Sequence, residues 1–143
     1  MNGREEEYSY LLERLRRSNW RLTAQRRAVA EVLSGPDIHL TAEEVLSRAK
    51  EVLPEISRAT VYNTLKELTD RGELEEVQIF PGPVHYDPNA VVRHHHLVCS
   101  RCGKIMDIQP YGLDSLELPA EARNGFKLEQ IEVIFRGMCE ECA

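Results

Sequence analysis

The stretch "ISRATVYNTLKEL", Ile56 to Leu68, decides the fold because its residues divide cleanly between two faces. Helical spacing, running from Ser57 to about Arg71, gathers Val61, Leu65 and Leu68 on one side, and Gly72 supplies the stop. A buried core accounts for that side. It leaves Arg58, Thr60, Tyr62, Asn63 and Lys66 facing outward. Those are the types that read a DNA major groove: asparagine pairs bidentately with adenine, arginine with guanine, and an aromatic ring or a methyl touches the thymine methyl.

Upstream, "TAEE" from Thr41 to Glu44 has the form of a capping box, in which the threonine caps a helix and Glu44 reaches back to the cap N–H. Ala42, Val45, Leu46, Ala49, Val52 and Leu53 then form one apolar stripe, which Pro54 ends. Two earlier helices are expected. One starts at its N-cap Thr23 and runs to Leu33, ahead of Gly35-Pro36; the other spans Glu5 to Arg17, with Tyr8, Leu11, Leu12 and Leu15 at three- and four-residue intervals. Downstream, "ELEEVQIF", then Pro81-Gly82-Pro83, then "VHYD" read as a two-strand ribbon. Helices closed by a hairpin are the layout of a winged helix-turn-helix, its third helix across the DNA backbone and its fourth in the groove. A plain helical bundle is the other reading of the same stripes.

The net charge of −6 speaks against nucleic acid only as an average. Residues 1–69 carry 11 basic and 11 acidic side chains, whereas residues 70–143 carry 7 and 13, so the excess acidity belongs to the second half. "LLERLRRSNWRLTAQRRA" sets Arg14, Arg16, Arg17, Arg21, Arg26 and Arg27 against the single Glu13. That basic surface makes Arg17, Arg21 and Arg26 candidate phosphate contacts; a solvated helix face is the alternative. No run approaches the roughly 18 to 20 apolar residues of a membrane span, and "MNGREEEYSY" is too charged for a secretory signal. The expected compartment is the cytoplasm, with no membrane partner.

From about Val84 the pattern changes to short alternating segments, "HLVC", "KIMDI" and "KLEQIEVIF", expected as strands of a second, smaller sheet with one helix around Leu113 to Asn124. The four cysteines form two pairs, Cys99-Ser-Arg-Cys102 and Cys139-Glu-Glu-Cys142, separated by 36 residues. A two-residue gap lets both thiolates of a pair face one tetrahedral ion, and Gly103 permits the tight turn of such a knuckle. Two knuckles complete a four-sulfur shell with no open position, which is a structural Zn(2+) site. Redox pairs or disulfides are the competing readings; a reducing cytosol and the lack of a thioredoxin-like context speak against them.

His94, His95, His96 and Asp107 remain in "HHHLVCSRCGKIMD". Strand alternation puts His94 and His96 on one face and His95 on the other. Two histidines are too few for a transition-metal site, and the donors within reach are Asp107, Asp87 in "VHYDP" and His39 in "GPDIHLTAEE". Spacing alone leaves a second metal site and ordinary polar residues both open.

The motifs "HLTAEEVL", "ISRATVYNTLKEL", "HYDP", "HHHLVCSRCGKIMDI" and "GMCEEC", in this order and over Leu11 to Cys142, resemble the ferric uptake regulator (Fur) family of bacterial metal-dependent repressors. The resemblance implies an α+β protein. Residues 1–84 would be a winged-helix DNA-binding domain, 85–93 a hinge, and 94–143 a small α/β dimerisation and metal-binding domain. It implies a homodimer on palindromic double-stranded DNA, with structural zinc on Cys99, Cys102, Cys139 and Cys142. His39, Asp87, His94, His96 and Asp107 would hold a regulatory Fe(2+) or Mn(2+), a donor set that suits those ions. Aspartate at 87 and 107, and Asn63 after "TVY", resemble the peroxide-sensing PerR branch, although the segment from Asp87 to His94 is one residue longer than that branch's pattern. In that branch the off switch is oxidation of a ligand histidine, here His39 or His94. An iron- or zinc-uptake repressor of the same family is the alternative. A mononuclear non-haem iron enzyme is the remote one, since the first 80 residues are spent on a helix-turn-helix rather than a substrate site; the expectation is that the chain is not an enzyme.

Overall fold

A computed structural model of the chain describes residues 10–79, 81–89 and 95–143. The chain forms two compact units, Met1–Val92 and Arg93–Ala143. In the first, four helices, α1 (Leu11–Arg17), α2 (Ala24–Val32), α3 (Ala42–Val52) and α4 (Arg58–Asp70), pack around one core. Leu15, Val29, Val45, Val61 and Leu65 are fully buried there, at least one from each helix, together with Leu33 just after α2. Of the first expected helix, Glu5 to Ser9 lie outside the described residues, and Tyr10 is the cap of α1.

Side-chain caps define the starts. Thr23 accepts from the Arg26 N–H, Ser57 from the Thr60 N–H, and Thr41 with Glu44 forms the complete capping box. Beyond α4, Gly72 takes φ +77°, the left-handed conformation that ends a helix at little cost only for glycine. Trp20, the chain's one tryptophan, packs beneath the Arg26 guanidinium at 4.1 Å, and its Nε1–H donates to Glu67 at 3.1 Å. Arg26 also reaches Glu67 at 2.9 Å, so both α2 and, through Trp20, the loop before it are tied to α4.

The ribbon is a three-stranded antiparallel sheet, ordered β1 (Leu40–Thr41), β3 (His85–Asp87), β2 (Glu75–Val77). Residues His85 to Asp87, the expected second strand of the ribbon, are its middle strand: Tyr86 faces Leu40 on one side and Glu76 on the other. Thr41 thus ends a strand and caps a helix at once, which couples the wing to the helix-turn-helix. Arg14 adds a second tie, donating to Glu73 at 2.9 Å and to the Pro88 carbonyl at 2.7 Å.

In the second unit β4 (His95–Cys99) lies between β5 (Ile105–Ile108), antiparallel, and β6 (Ile134–Gly137), parallel. The helix expected over Leu113 to Asn124 is not formed. Two single 3-10 turns, Leu113–Ser115 and Ala120–Ala122, stand in its place. Pro119 lies between them, where it removes a helical N–H and blocks the preceding turn, and Asn124 and Gly125 adopt left-handed φ of 48° and 79°. The expected strand "KLEQIEVIF" is regular only from Ile134. Just before it, the Val133 N–H is accepted by the His95 Nδ1 at 3.0 Å instead of by a strand carbonyl. Among the described residues no helix is long and apolar enough to cross a membrane.

Candidate metal centres and nucleic-acid interface

Strand β4 runs directly into the first knuckle. Cys99 ends it, Gly103 (φ +77°) turns the chain, and the Cys99 N–H donates to Lys104 at 2.9 Å as β5 begins. The second knuckle follows β6, held alongside by the Ser100 N–H on the Gly137 carbonyl at 2.8 Å. The sulfurs of Cys99, Cys102, Cys139 and Cys142 all lie within 4.8 Å of one another, and all four are free thiols. On a tetrahedral ion with bonds of about 2.3 Å, sulfurs stand about 3.8 Å apart. Cys102 Sγ and Cys139 Sγ are at 3.7 Å, so the cage fits such an ion.

The thiols are unequal. Backbone N–H groups of Cys102 and Cys139 point at Cys99 Sγ, each at 3.4 Å, and bring its pKa down to about 5. Cys142, hydrogen-bonded to Cys139 and crowded by the other sulfurs, is pushed up to about 12. Cys102 is pulled down by the Lys104 N–H but held above its ordinary value by its sulfur neighbours and burial. Without a cation the cage therefore retains protons.

Each unit also holds a histidine–carboxylate pair. In the first, the loop after α2 delivers His39 and β3 delivers Asp87; Nε2 and Oδ2 are 3.2 Å apart, with side chains 2% and 0% exposed. Asp87 Oδ1 accepts the Asn89 N–H at 2.8 Å, which aims the other oxygen at the imidazole. In the second, register pairs His96 of β4 with Asp107 of β5, and Nε2 stands 3.6 Å from Oδ1. Ligands at right angles on an octahedral ion with bonds of about 2.1 Å lie about 3 Å apart, so both pairs have suitable spacing. His94 lies outside the described residues. His95 turns away from His96 and toward Val133, as alternation requires. Sequence reading missed Glu132, whose Oε1 is 3.4 Å from His96 Nδ1; nothing short of the parallel β4–β6 pairing brings it there.

On the outer side of α4, Arg58, Tyr62, Asn63 and Lys66 are exposed and Thr60 is half-buried, while Val61, Leu65 and Leu68 are buried. Arg58 and Tyr62 both reach one carboxylate oxygen of Glu43, on α3: the Arg58 guanidinium forms an ion pair with it, and the Tyr62 hydroxyl donates to it at 2.7 Å. Arg17 is exposed and paired with Glu13 at 2.7 Å, Arg21 is exposed, and Arg26 is engaged by Trp20, Glu67 and the Arg21 carbonyl.

Comparison with known proteins follows the same motifs. The family model of the ferric uptake regulator family matches residues 17–136. The ferric uptake regulation protein of Bacillus subtilis is 37% identical over 134 residues, covering 91% of this chain and 90% of its own. The peroxide operon regulator of the same organism is 33% identical, covering 92% and 90%. Among solved structures, the Helicobacter pylori ferric uptake regulator Fur, described as having three functional metal binding sites, superimposes with a TM-score of 0.72 at 25% identity, over 92% of this chain and 91% of that one. With the family model spanning the winged helix and the first cysteine knuckle, and relatives matched over nine-tenths of their length, the chain belongs to the ferric uptake regulator family, whose members are metal-responsive transcriptional regulators and not enzymes.

Proposed function

We propose that the chain is a DNA-binding transcriptional repressor that acts as a homodimer on a palindromic operator, with Fe(II) or Mn(II) as corepressor, and that it senses peroxide. The observation that carries the peroxide reading is the pair of aspartates, each beside a histidine: Asp87 at His39 and Asp107 at His96. In this reading Cys99, Cys102, Cys139 and Cys142 hold structural zinc, while His39, Asp87, His94, His96 and Asp107 hold the regulatory ion.

His39 and Asp87 belong to the first unit and His96 and Asp107 to the second, so one ion drawing on all of them would link the two units. Metal then selects one arrangement of the two reading helices, about one DNA turn or 34 Å apart in the dimer. Moving such an equilibrium from 1:99 to 99:1 takes about 5.5 kcal/mol of differential binding, within reach of a five-donor site. When bound, Fe(II) would lend one electron to cleave the O–O bond of hydrogen peroxide beside the imidazoles and recover it as the ring is oxidised, with no net consumption of electrons. One peroxide oxygen ends on His39 or His94 and the other leaves as water; the oxidised ring is a poor donor, and the link opens. Brief peroxide treatment is therefore expected to abolish operator binding by the iron-loaded protein but not the manganese-loaded one, with one added oxygen atom on the His39 or His94 peptide by mass spectrometry. Unmodified peptides from a protein that has released DNA would refute it.

The dimer reading rests on the face of the second sheet. Met106, Leu97 and Phe135 are register neighbours across β5, β4 and β6, and they are 38%, 40% and 45% exposed. A continuous apolar row of this kind calls for a covering surface, here a second copy. Phe135→Glu buries an unpaired charge at that surface, at a cost of about 3–5 kcal/mol. Sedimentation should find monomers at concentrations where the parent protein is dimeric, with operator affinity falling by roughly 100-fold or more.

An iron-uptake repressor is the second reading, favoured by the 37% identity to the Bacillus subtilis ferric uptake regulation protein. Iron-loaded protein that keeps its grip on DNA after peroxide would select it.

A further inference from the structure

The outward side of α4 carries two residues, Arg58 and Tyr62, that are one helical turn apart and held by the same acceptor. Glu43, in the first turn of α3, takes the Arg58 guanidinium and the Tyr62 hydroxyl on a single carboxylate oxygen. The ion pair is open to solvent, with side chains 62% and 58% exposed, so it is weak enough for a competing anion to displace. Its members are well placed to pair. Glu43 sits at the positive N-terminal end of α3, which favours a carboxylate, and Arg58 opens α4, where the same field disfavours a cation. A phosphate approaching Arg58 must displace Glu43 and also meets the negative charge it leaves behind.

We propose that Glu43 is a specificity-determining residue: in the absence of DNA its carboxylate occupies Arg58 and Tyr62, and so suppresses sequence-independent attachment of Arg58 to phosphate. Random DNA offers Arg58 only a phosphate, which gains little over the carboxylate already there. An operator adds base contacts from the same helix face, and these make release from Glu43 favourable. Discrimination thus comes from weakening the wrong complex as well as from strengthening the right one. The inference rests on the DNA-binding reading above and deepens it. It also gives a role to a glutamate on an otherwise DNA-facing surface, where a carboxylate would simply repel.

The test is a salt titration of binding to a labelled 30-bp duplex of random sequence, using the full chain loaded with zinc and Mn(II). Glu43→Gln keeps an acceptor for the Tyr62 hydroxyl and removes the charge. Freeing Arg58 for one phosphate should steepen the slope of log affinity against log salt by about 0.9. Affinity at low salt should rise severalfold. The same substitution made on an Arg58→Gln background should leave the slope unchanged and raise affinity by much less, since only the repulsion by the Glu43 charge is then relieved. An unchanged slope in Glu43→Gln, or an equal gain with Arg58 already removed, overturns the proposal, because Glu43 would then be inert or act by plain repulsion. Failure of the parent protein to bind DNA in any salt-dependent way would instead overturn the DNA-binding reading itself.

Discussion

Cys102→Ser is expected to unfold the second unit while the helical first unit stays folded. The second unit is Arg93–Ala143, three short strands whose connecting segments from Leu116 to Glu132 are exposed almost throughout. A core of that size cannot support itself, and small domains of this kind depend on metal. Zinc bound by thiolates contributes about 10–16 kcal/mol to folding, as much as the whole stability of an ordinary domain. Loss of one of four ligands should therefore remove protection of the β4 and β6 amides in hydrogen exchange, abolish the dimer and eliminate operator binding. Protection unchanged in the serine variant would contradict it. The same cage gives a pH prediction. Binding the ion requires thiolates; Cys99 is already ionised at neutral pH, while Cys102 and Cys142 are held above their ordinary values and must lose protons. Affinity should thus rise with pH, by about one log unit per pH unit for each thiol still protonated, or about two log units per pH unit for the pair between pH 6 and 8. Competition against a chelator measures it, and a flat profile would mean that the thiols are already ionised.

His39→Ala and His96→Ala are expected to lose metal-stimulated DNA binding to the same extent, although one residue lies in each unit. Each removes a buried donor whose partner carboxylate is already in place, Asp87 at 3.2 Å and Asp107 at 3.6 Å. If the switch spans 1:99 to 99:1, the lost coupling is up to about 10⁴-fold in the ratio of affinities with and without Mn(II). Binding without metal should stay as in the parent protein, since neither histidine lies on α4. An operator titration with and without Mn(II) reads both quantities; a variant that keeps its Mn(II) stimulation would exclude that histidine from the switch.

The helical half was legible from local pattern because its signals are local. The Thr41–Glu44 capping box, the stop at Gly72 and the two-sided stretch from Arg58 to Asp70 need only neighbours in sequence. The cysteine cage was equally legible, because a two-residue gap carries its own geometry. Strand β1 was not: two residues pair with β3 only because the fold brings Leu40 beside Tyr86. The helix expected over Leu113 to Asn124 failed on Pro119, whose cost outweighed the apolar spacing around it. Glu43 and Glu132 escaped notice for a shared reason. Each meets its partner through packing between elements, α3 on α4 and the segment leading into β6 beside β4, and a sequence read one element at a time does not contain that meeting.

The proposed switch requires one ion to draw donors from both units. Calorimetric titration of the zinc-loaded protein with Mn(II) tests it most directly, run on the parent chain, His39→Ala and His96→Ala. One regulatory ion per chain is expected in the parent, with a loss of at least about 100-fold in affinity for that same ion in both variants. A second equivalent of Mn(II) in the parent, or an unchanged affinity in either variant, would mean that the two histidine–aspartate pairs work apart, and the switch described here would not exist.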